Sequence, residues 1–337
     1  MSDPLRVLIT GGGTATAVSV LKGLRVQREV PVHVTLADAQ ETIAGRYLAD
    51  AFIQIPPANS PAFLDALRTV CRKHSISLLI PIVDYEFEIF SKNAREFLDD
   101  GTRVVISPLS VIQTCGDKQV LAAWLASRGL PAPMIVQKDE ALAGRATFPL
   151  FVKPRKGGRG SLGAQRVDSA EELEVACSKL DEPLIQEFID GEEYTVDTLS
   201  DFDGRLLGAV PRLRIETKSG VSVKGKTVRM PELVELVKNV AEALPILGPS
   251  NIQCFRRRDG SFVVSEVNPR FAAAVVLSIA AGFNSPMLLL KLARGEKIEP
   301  FSISVRYGMT MLRYWEEVFV QDDGTAVTDF WRLGLPR

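Results

Sequence analysis

Three oxygen-bearing side chains in the stretch NIQCFRRRDGSFVVSEVNPRF set the first chemical question. If Asp259 and Gly260 are the central pair of a tight two-residue hairpin, Gln253 falls opposite Glu266. Strand alternation then puts Glu266 and Asn268 on one face and Val267 on the other. Cross-strand Cβ atoms lie roughly 5 Å apart, so Gln253, Glu266 and Asn268 are within reach of one or two hard cations held through oxygen. Magnesium suits such donors and usually keeps phosphate oxygens in its shell, which implies an ATP tail. Pro269 ends the strand and places Arg270 just beyond it, where a guanidinium stabilises charge growing on a transferring phosphoryl group. The alternative for Glu266 and Arg270 is an ordinary ion pair at a strand end.

A second stretch, FVKPRKGGRGSLGAQRV, carries the matching positive charge. Lys153 closes an apolar strand that fixes it, whereas Lys156 to Gly163 form a basic glycine-rich loop whose N–H groups can wrap β and γ phosphates. The spacing is not GxxxxGK[ST], and a strand rather than a helix follows, so a P-loop fold is disfavoured. A solvated hairpin loop has the same composition. Downstream, LIQEFIDGEEYTVDTL offers a short strand whose backbone at Glu187 and Ile189 can read an adenine edge, followed by Glu193 for ribose hydroxyls.

The elements that must position these groups fall into two halves. From residue 5 to about 113, RVLIT, PVHVTLAD, AFIQIP, SLLIPIV and RVVIS read as strands, alternating with amphipathic helical stretches. That order predicts an open parallel α/β sheet covered on both faces. After Asp117, DKQVLAAWLASRGL reads as a helix capped by Asp117, and SAEELEVACSKL as one opened by Ser169 with Glu172 three residues on. Asp203-Gly204 between apolar runs predicts a hairpin, so the second half is expected to be antiparallel. PELVELVKNVAEAL places Leu233, Leu236, Val237, Val240 and Leu244 on one helical face for core packing.

Composition narrows the function class. With 40 basic and 41 acidic residues there is no global field to attract nucleic acid or an anionic membrane. Cys71, Cys115, Cys177 and Cys254 are too scattered for a zinc site or a disulfide framework, which suits a reducing cytoplasm. No apolar run is long enough to span a bilayer. The opening LITGGGTATA resembles half of a dinucleotide-binding loop, but it lacks the third glycine of GxGxxG. Gly11, Gly12 and Gly13 therefore read as a strand-to-helix turn at the cleft edge, with Gly12 and Gly13 able to touch a substrate carboxylate. In IPIVDYEFEIF, Asp84 and Glu86 follow a strand end, where ligands of open sheets gather. They read as holders of an incoming ammonium group, or, for Asp84, as a helix cap. Arg212, Arg214 and Lys224 form a basic segment that either holds a substrate carboxylate or is ordinary surface charge.

From Lys118 to Arg270 the motifs DKQ, FPLFVKPRKGGRGSLGAQRV, LIQEFIDGEEYTVD, NIQCF and SEVNPRF resemble the ATP-grasp superfamily, in its single-copy branch near the carbamoyl phosphate synthase large subunit. The resemblance implies a Rossmann-like pre-ATP-grasp domain at 1–113 and an ATP-grasp small subdomain at 114–185. It implies a large subdomain at 186–310 and an extension at 311–337. It implies ATP with two Mg2+ or Mn2+ ions: Lys118 and Lys153 on phosphates, and the loop Gly157, Gly158, Arg159, Gly160, Ser161, Leu162 and Gly163 closing over them. Gln186, Glu187, Phe188 and Ile189 would hold adenine, Glu193 the ribose, Gln253, Glu266 and Asn268 the metal, and Arg270 would act beside an acyl phosphate. The implied activity is ATP-dependent joining of a small carboxylate to an amine, in the cytoplasm, with a homodimer allowed. Carbamoyl phosphate chemistry and a nucleotide-binding regulator without turnover are the rivals. Against the first, Ser222 stands where the synthase pattern has His, and there is a single grasp copy with no fused glutaminase.

Overall fold

The computed structural model describes residues 3–157 and 162–327. Leu5–Ile9 (β1), Val32–Asp38 (β2), Ala51–Gln54 (β3), Leu78–Ile80 (β4) and Arg103–Val104 (β5) form a parallel sheet in the order β3-β2-β1-β4-β5. Parallel neighbours need crossovers, and the helices Ala15–Val26, Phe63–Lys73 and Phe87–Asp99 supply them after β1, β3 and β4. Alternation along β1 explains why both faces are apolar: Leu8 joins a cluster with Phe63, Phe90 and Phe97, while Val7 and Ile9 join one on the opposite face.

That opposite face is shared with the second half of the chain. Its cluster runs on through Leu199, Val210, Phe271, Phe283 and Leu289. Ser19 donates to the Ala273 carbonyl (2.8 Å), and Asn284 Nδ2 donates to the Gly23 carbonyl (2.8 Å). The helix Ala15–Val26 is thus a common wall, and it fixes the parallel sheet against the segment that follows Arg270.

Leu150–Pro154 (β6), Gln165–Val167 (β7) and Pro183–Glu187 (β8) make a small antiparallel sheet, β7-β6-β8, covered by the helix Ala170–Ser178. Ser169 caps that helix by accepting the Glu172 N–H, and Glu172 reaches back to the Asp168 N–H (2.8 Å). A larger antiparallel sheet contains Glu192–Ser200 (β9), Leu206–Lys218 (β10), Val221–Thr227 (β11), Pro249–Arg256 (β12), Phe262–Asn268 (β13) and Thr310–Leu312 (β14). Its order is β13-β12-β9-β10-β11-β14. One face buries Val196, Ile252, Cys254, Val264 and Val267 against Leu233, Val237 and Val240 of the helix Pro231–Ala243. The other face carries Thr195, Asp197 and Gln253 toward one end and Leu199 and Val210, packed on the parallel domain, toward the other.

β8 runs to Glu187 and β14 to Leu312. Phe319–Val320 and Ala326–Val327 form a separate two-stranded hairpin. All four cysteines are buried free thiols. Among the described residues, no helix is long and apolar enough to cross a membrane.

Candidate active site

The β12–β13 hairpin turns differently from the expectation. Arg257 N–H donates to the Ser261 carbonyl (2.7 Å) and Gly260 N–H to the Arg257 carbonyl (3.0 Å), with Gly260 at φ +89°. This is a longer loop, closed by a residue in the left-handed region, and it pairs Arg256 with Phe262. Continued unchanged, that register would set Glu266 opposite the core residue Ile252 and turn the carboxylate into the hydrophobic layer. A β-bulge at Ser265 inserts one residue and shifts the pairing back. Gln253 then lies opposite Glu266, and Asn251 opposite Asn268. The expected pairing is present because two one-residue offsets cancel.

β9 extends this polar face, with Thr195 opposite Gln253 and Asp197 opposite Asn251. Asn251, which the sequence reading passed over, donates to the Arg270 carbonyl (2.9 Å) and accepts from Asn268 Nδ2 (3.3 Å). Its period-2 spacing from Gln253 in NIQ is the signal that marks it.

Arg212 requires a correction. Its guanidinium forms a two-pronged pair with Asp197 (2.7 and 2.7 Å), and the Ser278 hydroxyl donates to the same carboxylate (2.5 Å). With 1% and 3% of the two side chains exposed, Arg212 is neither surface charge nor a ligand for a free carboxylate. Lys224 is likewise engaged, by Glu216 at 2.6 Å. Arg214 differs: its Nε is buried 3.2 Å from the Glu193 carboxylate without hydrogen-bond alignment, so a buried donor remains unsatisfied beside Glu193. Burial raises the Glu193 carboxyl above its ordinary range despite Arg214.

Lys153, on β6, closes the other side. Burial pushes its ammonium down to about 8, while Glu266 and Glu193 pull upward and Lys118 pushes further down. Lys153 on the small sheet therefore lies near Glu266 and Glu193 on the large sheet, with Lys118, from the helix that Asp117 caps, beside them. Lysines on one wall and oxygen donors on the other complement a polyphosphate with a divalent cation. Gln253, Glu266 and Asn268 supply one carboxylate and two amide oxygens, a hard donor set suited to magnesium. Among the described residues no group of three His, Cys, Asp or Glu could hold a metal.

Of the expected phosphate loop, only the two ends fall on described residues. Lys118 Nζ donates to the Gly157 carbonyl (3.0 Å), and Leu162 is exposed. Gly158, Arg159, Gly160 and Ser161 lie outside the described residues. Asp117 is the anchor that sequence reasoning saw only as a cap. It accepts the Gln119 and Val120 N–H groups (3.0 and 3.2 Å) and pairs with Arg155 (2.8 Å). Burial raises its carboxyl, but Arg155 and the two amides outweigh this and leave it lowered. Gln186 is buried within β8. Glu187 accepts the Met134 N–H (2.9 Å), pairs with Arg257, and donates its own N–H to Met134 (2.9 Å). This leaves Phe188 and Ile189, past the strand end, as the backbone available to an adenine edge.

In the first domain two further expectations change. Gly12 N–H donates to the Ala37 carbonyl (3.0 Å) and Gly13 N–H to Asp38 (2.9 Å), so neither amide is available to a substrate carboxylate. Gly11 takes φ +61°, which the sharp turn requires. Asp84 makes no cap bond. It accepts from Arg270 Nε at 2.7 Å, joining residues 186 apart. Glu86 is buried and accepts the Thr10 hydroxyl at 2.5 Å.

The comparisons follow this geometry. A model of "PylC-like, N-terminal domain" matches residues 7–105, and one of "ATP-grasp in the biosynthetic pathway with Ter operon" matches residues 179–313. The chain is 31% identical over 212 residues to the D-alanine–D-alanine ligase of Corynebacterium aurimucosum, covering 50% of this chain and 58% of that one. It is 27% identical over 248 residues to the carbamoyl phosphate synthase large chain of Archaeoglobus fulgidus, covering 67% of this chain and 23% of that one. It thus spans less than two thirds of the length of these curated relatives. The structure of N5-carboxyaminoimidazole synthetase from Staphylococcus aureus complexed with ADP superposes with TM-score 0.73 at 16% identity, over 93% of this chain and 83% of that one. An ATP-grasp family model thus matches the residues that carry the large sheet, and the parallel domain, small sheet and large sheet together share the fold of the solved synthetase.

Proposed function

We propose that the protein is an ATP-dependent ligase that activates a small-molecule carboxylate as an acyl phosphate for attack by an amine, releasing ADP and phosphate. The observation that carries this reading is the convergence of Lys153 and Lys118 with Glu266 and Glu193 across the cleft. Phosphoryl transfer asks a protein for positioning and charge neutralisation more than for covalent chemistry, and this cleft provides both. The printed names of the relatives, a D-alanine–D-alanine ligase and a carbamoyl phosphate synthase, support the same class.

In this reading Lys118, Lys153 and the loop from Gly157 to Gly163 bind phosphates, and Phe188 with Ile189 borders adenine. Glu193 and the unsatisfied Arg214 Nε face the ribose side. Gln253, Glu266 and Asn268 hold Mg2+, which when bound neutralises phosphate charge. Arg270 stands beside the activated carboxyl, and Glu86 marks the acceptor side of the cleft. A carboxylate is a poor electrophile until one of its oxygens becomes a leaving group, which is why a nucleotide is consumed. Cytoplasmic location, small-molecule substrates and a homodimer fit this reading.

The test is phosphate release from MgATP in a paired screen of amino acids and small carboxylates, with Glu266→Ala as the blank. One acid should stimulate release and give a hydroxamate with hydroxylamine. Release of AMP and pyrophosphate would exclude the acyl phosphate route. Stimulation by bicarbonate alone would assign carboxyphosphate chemistry instead.

A further inference from the structure

Asp84 and Glu86 leave one short 3-10 turn toward different partners. Glu86 turns inward to Thr10, whereas Asp84 reaches Arg270 of the second half. Arg270 Nε donates to Asp84 Oδ1 (2.7 Å), and Nη2 approaches Oδ2 (3.4 Å). The remaining donors are held by Arg270's own strand end: Nη1 by the Phe271 carbonyl (3.2 Å), Nη2 also by Asn268 Oδ1 (3.4 Å). The Arg270 side chain is 22% exposed and that of Asp84 63%. The arginine is therefore the fixed partner and the carboxylate the exchangeable one. A guanidinium fork presented to a carboxylate is also the geometry in which it receives a ligand carboxylate or a phosphoryl group.

We propose that Asp84 is a specificity-determining residue: it occupies the Arg270 fork as a resident carboxylate, and an incoming acid or acyl phosphate must displace it. The inference rests on the ligase reading. Two carboxylates in one fork repel, so entry of the ligand and departure of Asp84 are a single exchange: an incoming carboxylate replaces Asp84 one charge for one, and an acyl phosphate brings one charge more. A neutral nucleophile such as water offers no second oxygen for the fork and does not displace Asp84. The exchange thereby selects fork-forming anions and releases a free carboxylate on the acceptor side of the cleft.

The test is calorimetric titration of acetonylphosphonate, an acetyl phosphate analogue with CH2 in place of the bridging oxygen, into the full chain saturated with MgADP. Wild type, Asp84→Asn, Arg270→Gln and the double variant are compared, with thermal unfolding confirming that each is folded. Asp84→Asn should bind roughly fivefold tighter than wild type, the scale of an exposed ion pair. The gain should vanish when Arg270 is also replaced. Equal or weaker binding by Asp84→Asn, a gain that persists without Arg270, or no binding to any variant with MgADP bound overturns the proposal. MgADP binding, measured first, separates the two levels: its absence strikes the ligase reading itself.

Discussion

The Thr10 hydroxyl donates to Glu86 at 2.5 Å, tying the end of β1 to the turn after β4. Glu86 is 4% exposed, and burial pushes its carboxyl from 4.5 up to about 7, with the Thr10 bond opposing and the charge of Asp38 adding. The folded chain therefore holds this proton more tightly than the unfolded chain. Stability from this group is highest at acid pH, falls as pH rises from 4.5 to about 7, and stays reduced above that. Glu86→Gln keeps an acceptor for Thr10 and removes the ionisation. It should raise the unfolding free energy at pH 8 by up to about 3 kcal/mol and change it little at pH 5. Unfolding curves of both proteins across this range check it, and parallel curves would refute it.

Arg212 and Asp197 should behave as structure. Asp197→Asn leaves a buried guanidinium uncompensated and should lower the unfolding free energy by about 3–5 kcal/mol in urea titrations. Replacing both residues by apolar ones of similar volume should recover much of that loss. An unchanged urea midpoint for Asp197→Asn would return Arg212 to the list of ligand-binding residues.

This pair also shows where sequence reading stops. The parallel sheet was legible because Leu8 and its neighbours alternate between two buried faces, and the helices follow strands at crossover spacing. Alternation likewise put Arg212 and Arg214 on one face, but depth is not periodic: one is sealed by Asp197 and Ser278, the other retains an unsatisfied donor. Partners fixed only by tertiary packing were invisible, as for Asp84 with Arg270 and Thr10 with Glu86. At Gly12 and Gly13 the composition suggested free amides, and only the fold revealed that Ala37 and Asp38 use them. The Gln253–Glu266 pairing was read from a turn that does not occur, and the Ser265 bulge restored it.

If Lys153 contacts nucleotide phosphates as proposed, binding carries a proton-linked signature. Its folded value of about 8 lies below its ordinary 10.5, chiefly through burial. In the free chain this costs stability below about 8, and the cost is relieved as pH rises from 8 to 10.5. Phosphate oxygens beside the ammonium favour its charged form, so binding should drive proton uptake near pH 8.5. Titrations of MgADP in buffers of different ionisation enthalpy should show this uptake, which should disappear in Lys153→Met. Glu266→Gln removes the charge that most supports the ammonium, so the same uptake should move to lower pH. Uptake that is identical in Lys153→Met would place the titrating group elsewhere and separate Lys153 from the phosphate site.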